Sequence, residues 1–369
     1  MDGADDFEAW FRLLETPGVG RETARRLLAA CGSPAAVLGA GRMALQEIAG
    51  AAVAAALAAV PPDFATRWQA AKRWLAGGEG RHLLTLGGPR YPPRLLHTAD
   101  PPLLLYVQGH ISKLAEDGIA VVGSRHATPQ GLDNARALAR ALSDRPLVVF
   151  SGLAAGIDGA AHEGALLGAA GTVAVVGTGL DRVYPARHQA LAQRIAERGA
   201  LVSEYAPGTP PLAENFPPRN RIIAGLTLGT VVVEAALRSG SLITARLAAE
   251  AGREVFAVPG SIHSAQARGC HALLRDGAKL VETAQDIFDE LTGFMARPAA
   301  SAAAPATEST AGPIDPLLRA LGDDPASIDA LQARTGWPAA ELAARLLELE
   351  FDGKVARMAG GLFQRRHAA

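Results

Sequence analysis

The sequence predicts an α/β protein built on a doubly wound, largely parallel sheet, with a helical domain before it and a winged helix after it. Three observations carry this. Glycine-rich turns follow short apolar runs at Val121-Val122-Gly123-Ser124-Arg125, at Val148-Val149-Phe150-Ser151-Gly152-Leu153-Ala154-Ala155-Gly156-Ile157-Asp158 and at Val173-Ala174-Val175-Val176-Gly177-Thr178-Gly179. Apolar run, tight turn and helical segment is how parallel strands buried on both faces are written. Strand-like and helix-like segments then alternate from 118 to about 293, and the two ends of the chain follow other patterns.

Residues 7–76 read as helical, within a first domain at 1–80. Inside it, Thr16-Pro17-Gly18-Val19-Gly20-Arg21 separates two helical runs. Two readings stand. The turn resembles a helix-hairpin-helix in a SAM-like domain, where Gly18, Gly20 and Arg21 would give a secondary contact to DNA phosphates. Equally, it is a plain turn in a small bundle.

The sheet domain is expected at 81–295. Its first part, 77–117, is an extended transition punctuated by Tyr91-Pro92-Pro93 and Asp100-Pro101-Pro102. Strands are expected at 118–123, 146–151, 172–177, 200–204, 229–234 and 254–258, with helices at 128–143, 156–169, 186–199 and 241–252. Residues 296–313 have the Ala/Pro/Ser/Thr composition of a flexible linker. The tail, 314–369, shows two helices at 327–334 and 338–349 joined by Thr335-Gly336-Trp337, then a hairpin over 354–364. Helix-turn-helix plus hairpin is a winged helix. Its second helix carries Glu341, Glu348 and Glu350 against Arg345, while Arg357, Arg365 and Arg366 lie in or after the wing, which favours a protein-contacting or weakly DNA-contacting module over a sequence-specific DNA reader.

With 369 residues, a net charge of −1 and 49% hydrophobic residues, the chain has room for several domains and is no polycation. A nucleic-acid site must be a local patch. Cys31 and Cys270 lie in no metal or disulfide pattern, and the nine histidines show no ligand spacing, so no metal and no cofactor are expected. The start lacks the basic region of a signal peptide, and the Ala-rich stretch 51–60 is too short to span a bilayer; a cytoplasmic protein without a membrane partner is expected.

Small residues at strand ends expose backbone N–H groups to anions, and Arg125 adds a permanently charged fork suited to phosphate. Two familiar phosphate motifs fail. Arg182 stands where a dinucleotide fingerprint needs its third glycine, and the chain has no P-loop. In Phe216-Pro217-Pro218-Arg219-Asn220-Arg221, the arginines could grip phosphate and Asn220 brace the loop, or the segment is a surface turn at the sheet edge. Ser239-Gly240-Ser241 opens a helix, where capping and anion binding use the same N–H groups. Asp158 and His162 sit four apart on a helix, with a hydrogen-bonding role favoured over acid–base chemistry. Glu234, at a strand end, is a candidate general base or a structural carboxylate.

Taken together, these clusters, continued by Tyr184-Pro185, Ser203-Glu204-Tyr205 and Val258-Pro259-Gly260, closely resemble the DNA-processing protein A (DprA/Smf) family over about 85–290. The resemblance implies an extended Rossmann-like domain and a non-catalytic protein. Such proteins bind single-stranded DNA, shield incoming strands during natural transformation, load the RecA recombinase, and commonly form homodimers. Carried onto this chain, Arg125 clamps a backbone phosphate, Gly123 and Ser124 add donors, and Gly152, Gly156, Arg219, Asn220, Arg221, Gly240 and Ser241 complete a positive pocket. Two departures stand out: Ala155 replaces a frequent Lys or Arg, and Cys270-His271 replaces a hydroxyl residue and Asn. The alternative is an enzyme. Nucleoside-monophosphate phosphoribohydrolases use a similar sheet with a catalytic Glu, here Glu234, but their Pro-Gly-Gly-x-Gly-Thr turn is missing.

Overall fold

A computed structural model describes residues 4–295, 315–322, 326–357 and 361–365. The linker expected at 296–313, the hairpin tip at 358–360 and Arg366 lie outside them. Two compact units emerge. One holds the helical front as far as Trp68, the stretch Leu96–Pro101 and the tail; the other holds the chain from Gln69 and the sheet. The front and the tail, expected as separate domains at 1–80 and 314–369, thus group together.

The helical front consists of α1 (Ala4–Glu15), α2 (Arg21–Cys31), α3 (Pro34–Gly39), α4 (Arg42–Ala49), α5 (Ala51–Ala58) and α6 (Phe64–Ala76). Phe7, Phe11, Phe64 and Trp68 form its aromatic core. The Ala-rich stretch is α5, and among the described residues no helix is long and apolar enough to cross a membrane.

In the sheet unit come β1 (Arg81–Thr85), α7 (Pro93–Leu96), β2 (Leu104–Gly109), β3 (Gly118–Val122), α8 (Pro129–Asp144), β4 (Val148–Ser151) and α9 (Ile157–Ala165). Then follow β5 (Thr172–Val176), α10 (Gln189–Arg198), β6 (Ala200–Ser203), α11 (Phe216–Leu226), β7 (Gly229–Val232) and α12 (Ser241–Glu250). The unit ends with β8 (Glu254–Ala257), α13 (Arg268–Arg275), β9 (Lys279–Leu280) and α14 (Ala284–Met295). The order is β1-β2-β6-β5-β4-β3-β7-β8-β9; the β1–β2 and β2–β6 pairings are antiparallel and the other pairings parallel. Every residue of β3, β4 and β5 is buried, as parallel strands covered on both faces require. The chain winds one way from β3 to β4, β5 and β6, and the other way from β7 outward. The winding therefore reverses between β3 and β7.

Two buried polar residues tie α9 to β5 and β5 to β4. The Thr172 hydroxyl donates to Val149 O at 2.6 Å, so it accepts from His162 at 2.8 Å, which assigns the ring proton to Nδ1. Burial, aided by the charges of His188 and Arg219, pushes the His162 pKa down to about 3. An unfolded histidine takes its proton near pH 6.5, whereas this one stays neutral far below that. Its stabilisation is complete above pH 6.5 and is lost as pH falls toward 3, at about 1.4 kcal/mol per pH unit. His162→Gln should therefore flatten the acid limb by about 2 kcal/mol between pH 7 and pH 5 in urea unfolding. Parallel limbs for wild type and variant would overturn this. Asp158, four residues earlier, does not pair with His162; its carboxylate accepts from Gly152 N (3.1 Å) and Ala154 N (3.4 Å).

The tail is a winged helix: α15 (Pro316–Leu321), β10 (Ala326–Ser327), α16 (Ile328–Thr335), α17 (Ala339–Phe351), β11 (Val355–Arg357) and β12 (Leu362–Arg365). Its small sheet runs β10-β12-β11 around a leucine core.

Candidate nucleic-acid interface

A cleft of about 450 Å³ opens beyond the carboxyl ends of β3 and β7, where the winding reverses. Ligands of open α/β sheets bind at such a point. Its lining comes from the turn after β3, the start of α11 and the segment that opens α12, with Ala154 from the turn before α9 and Asp158 from the first turn of α9.

The turn after β3 is rigid. Ser124 N donates to Glu234 O (2.7 Å), Ser124 O accepts from Ile157 N (3.1 Å), and Ser124 Oγ accepts from His126 N (3.1 Å). Gly123, Ser124 and Arg125 all face the cleft, and the exposed Arg125 guanidinium lies 5.7 Å from the centre of the Phe216 ring. The Phe216 ring in turn packs against the half-exposed Tyr184, 5.7 Å between centres.

Arg219 forms the floor and is only 4% exposed. Its Nη1 donates to Gly152 O (2.7 Å) and to Val175 O, and its Nε to Asn220 Oδ1 (3.1 Å). Burial lowers its pKa to about 10; the Asp158 carboxylate works against this and the Arg125 charge adds to it. Burial also raises the Asp158 pKa, while Arg219 and the backbone donors pull it down. Asp158 is the one carboxylate among the described lining residues, against Arg125, Arg219 and Arg238. Neither Arg125 nor Arg238 makes a salt bridge among the described residues. The Arg125 charge lowers the affinity of Arg219 for its proton, and an anion between the two guanidinium groups relieves that repulsion.

Gly240 and Ser241 line the opposite wall, and Asn220 Nδ2 reaches Gly240 O at 3.5 Å. The hydroxyls of Ser239 and Ser241 bond each other (2.7 Å), and Ser241 N donates to Ser239 Oγ at 3.4 Å. Gly152 and Gly156 shape the cleft from behind. A Cβ on Gly152 would stand 2.6 Å from the Arg219 guanidinium.

Several expected site residues stand elsewhere. Arg221 leaves α11 on the other side and donates through Nη2 to both Glu204 carboxylate oxygens, at 2.6 and 2.7 Å. Residues two apart on a helix diverge by about 200°, so Arg219 and Arg221 cannot share a pocket. Gly18, Gly20 and Arg21 belong to the helical unit, where Arg21 is neutralised by Asp100 at 3.0 Å. Glu234 is no exposed base: its carboxylate accepts from Thr128 N (2.9 Å) and Thr128 Oγ1 (2.6 Å), tethering the N-cap of α8. Cys270 is core, its thiol pushed up to about 11 by burial, and His271 Nε2 contacts Gly260 O at 3.0 Å. Neither lines the cleft. Sequence reasoning did not single out Phe216, Tyr184 or Arg238 as site residues. Their signal was position: each flanks a motif that was read for its glycines and arginines.

The sequence matches the family described as DNA recombination-mediator protein A over residues 82–292, with the DprA winged helix domain matching 301–361. Protein Smf of Escherichia coli (strain K12) is 44% identical over 292 residues, spanning 78% of this chain and 78% of that protein. The chain belongs to the DNA recombination-mediator protein A family. DNA processing protein DprA of Streptococcus pneumoniae (strain ATCC BAA-255 / R6) is 48% identical over 200 residues, 54% of this chain and 71% of that protein. An X-ray structure of DprA from Streptococcus pneumoniae superposes with a TM-score of 0.67 at 35% identity, covering 77% of this chain and 97% of that one. The structure of DNA processing protein A from Helicobacter pylori, reported for a unique single-stranded DNA binding mode, has a TM-score of 0.52 at 30% identity and covers 58% of this chain and 97% of that one.

Proposed function

We propose that this protein is a non-catalytic, single-stranded-DNA-binding recombination mediator, and that the cleft between β3 and β7 grips the backbone of the strand. One observation carries the reading: Arg125 and Arg219 converge on a cleft whose walls are turns and helix starts rich in backbone N–H groups. In this reading a phosphate lies between the two guanidinium groups. Phe216 and Tyr184 offer ring faces at the rim, where an unpaired base can stack and a paired one cannot. The single-stranded DNA binding of the Helicobacter pylori relative supports the ligand class. Glu234, held by Thr128, argues against the phosphoribohydrolase alternative. By family resemblance, the protein acts in the cytoplasm as a homodimer, protects incoming strands and loads RecA.

The test is fluorescence anisotropy with labelled single-stranded and duplex DNA over a salt series. Wild type should prefer the single strand and bind less tightly as salt rises. Arg125→Ala should weaken binding to all sequences alike, roughly tenfold, and lower the salt slope by about one. A loss confined to one sequence, or no loss, would sink the assignment of Arg125 to phosphate. Release of free base from AMP by the pure protein would revive the enzyme.

A further inference from the structure

In a winged helix that reads duplex DNA, the second helix of the helix-turn-helix enters the major groove. Here that helix is α17, and its chemistry does not suit phosphates. Its sole cation, Arg345, donates through Nε and Nη2 to Asp315 Oδ2 (3.0 and 2.5 Å) and through Nη1 to Glu348. One face, with Leu342, Leu346 and Leu349, is sealed into the leucine core. The opposite face is also apolar. Phe351 is 84% exposed and Leu347 52% exposed, with the exposed Ala340 and Ala344 in line. Steps of four, three and four residues place these on one stripe. The adjacent row is Glu341, Arg345 and Glu348.

We propose that this face of α17 docks a basic amphipathic helix from a partner protein. Leu347 and Phe351, one turn apart, are the anchors that a helix-in-groove contact uses, and Glu341 and Glu348 face lysine or arginine along the partner's edge. Charge decides among the occupants. A second copy of the same face would set carboxylates against carboxylates, and a duplex would set phosphates against them. A basic helix meets neither penalty.

The probe is a labelled helical peptide of leucine and lysine only, titrated into the full chain. Leu347→Ser with Phe351→Ser should weaken its binding at least tenfold. Glu341→Lys with Glu348→Lys should weaken it similarly and admit a leucine–glutamate helix instead. All four positions are exposed, so thermal melts should match wild type, and this readout does not depend on the cleft's ligand. Peptide affinity unmoved by either pair overturns the proposal. So does a Leu347→Ser/Phe351→Ser loss confined to duplex binding, which makes the face a DNA reader. A fall in solution mass in that variant overturns it too, in favour of a second copy.

Discussion

Arg219→Met should cost the fold about 3–5 kcal/mol and remove single-stranded DNA binding from whatever remains folded. The guanidinium is buried at the centre of the sheet's carboxyl edge, bonded to Gly152 O and Val175 O, with its charge set against Asp158. Methionine fills much of the volume but leaves the Asp158 carboxylate buried without its counter-charge, held by the Gly152 and Ala154 N–H groups and the Ser151 side chain. Removing one partner of a buried charged pair is the costly operation; removing both is far less so. Arg219→Met with Asp158→Asn should thus recover most of the stability. DNA binding should not recover, because the floor of the cleft has lost its cation. Denaturant unfolding and anisotropy on the same three variants separate the two roles. If the double variant is no more stable than the single, Asp158 is not the counter-charge. If it binds DNA like wild type, the floor does not touch phosphate.

That Arg219 would be the buried member of its cluster was only half legible in the sequence. The six central strands were readable because each is an apolar run closed by a glycine or polar turn, and the structure places all six within two residues of those bounds. The edge strand β1 and its neighbour β2 are not among them. They pair antiparallel across a proline-punctuated loop, and local sequence carries little of a pairing made that far away. The helix α11 was missed for another reason. Phe216-Pro217-Pro218 reads as a turn, yet proline is welcome in a first helical turn, where no N–H partner is needed. Read as a loop, the segment could bring Arg219 and Arg221 to one place; as a helix it cannot. Glu234 was placed rightly at its strand end, but its partner Thr128 lies 106 residues away, beyond any local pattern.

Gly156→Ala should be the most damaging of the conservative substitutions around the cleft. Gly156 has φ of +80° and ψ of −127°, a combination open in practice to glycine alone. A Cβ there would stand 2.2 Å from Ser124 O and 2.9 Å from the Arg125 carbonyl carbon and oxygen. Those are backbone atoms, so no side-chain rotation relieves the contact. The turn that carries Arg125 must move, and with it the hydrogen bond from Ile157 N to Ser124 O that docks the start of α9. The strained backbone alone costs about 1–3 kcal/mol. Displacement of the guanidinium should add a loss of DNA affinity at least as large as that of Arg125→Ala, with the same fall in salt slope. Gly240→Ala is the control. It lines the same cleft, but its φ is −62° and nothing lies within 4 Å of its would-be Cβ, so it should stay within about 0.5 kcal/mol of wild type. Equal damage from the two would mean that the cleft merely resents side chains. Damage from Gly156→Ala alone means that the close approach of α9 to the turn after β3 is what aims Arg125.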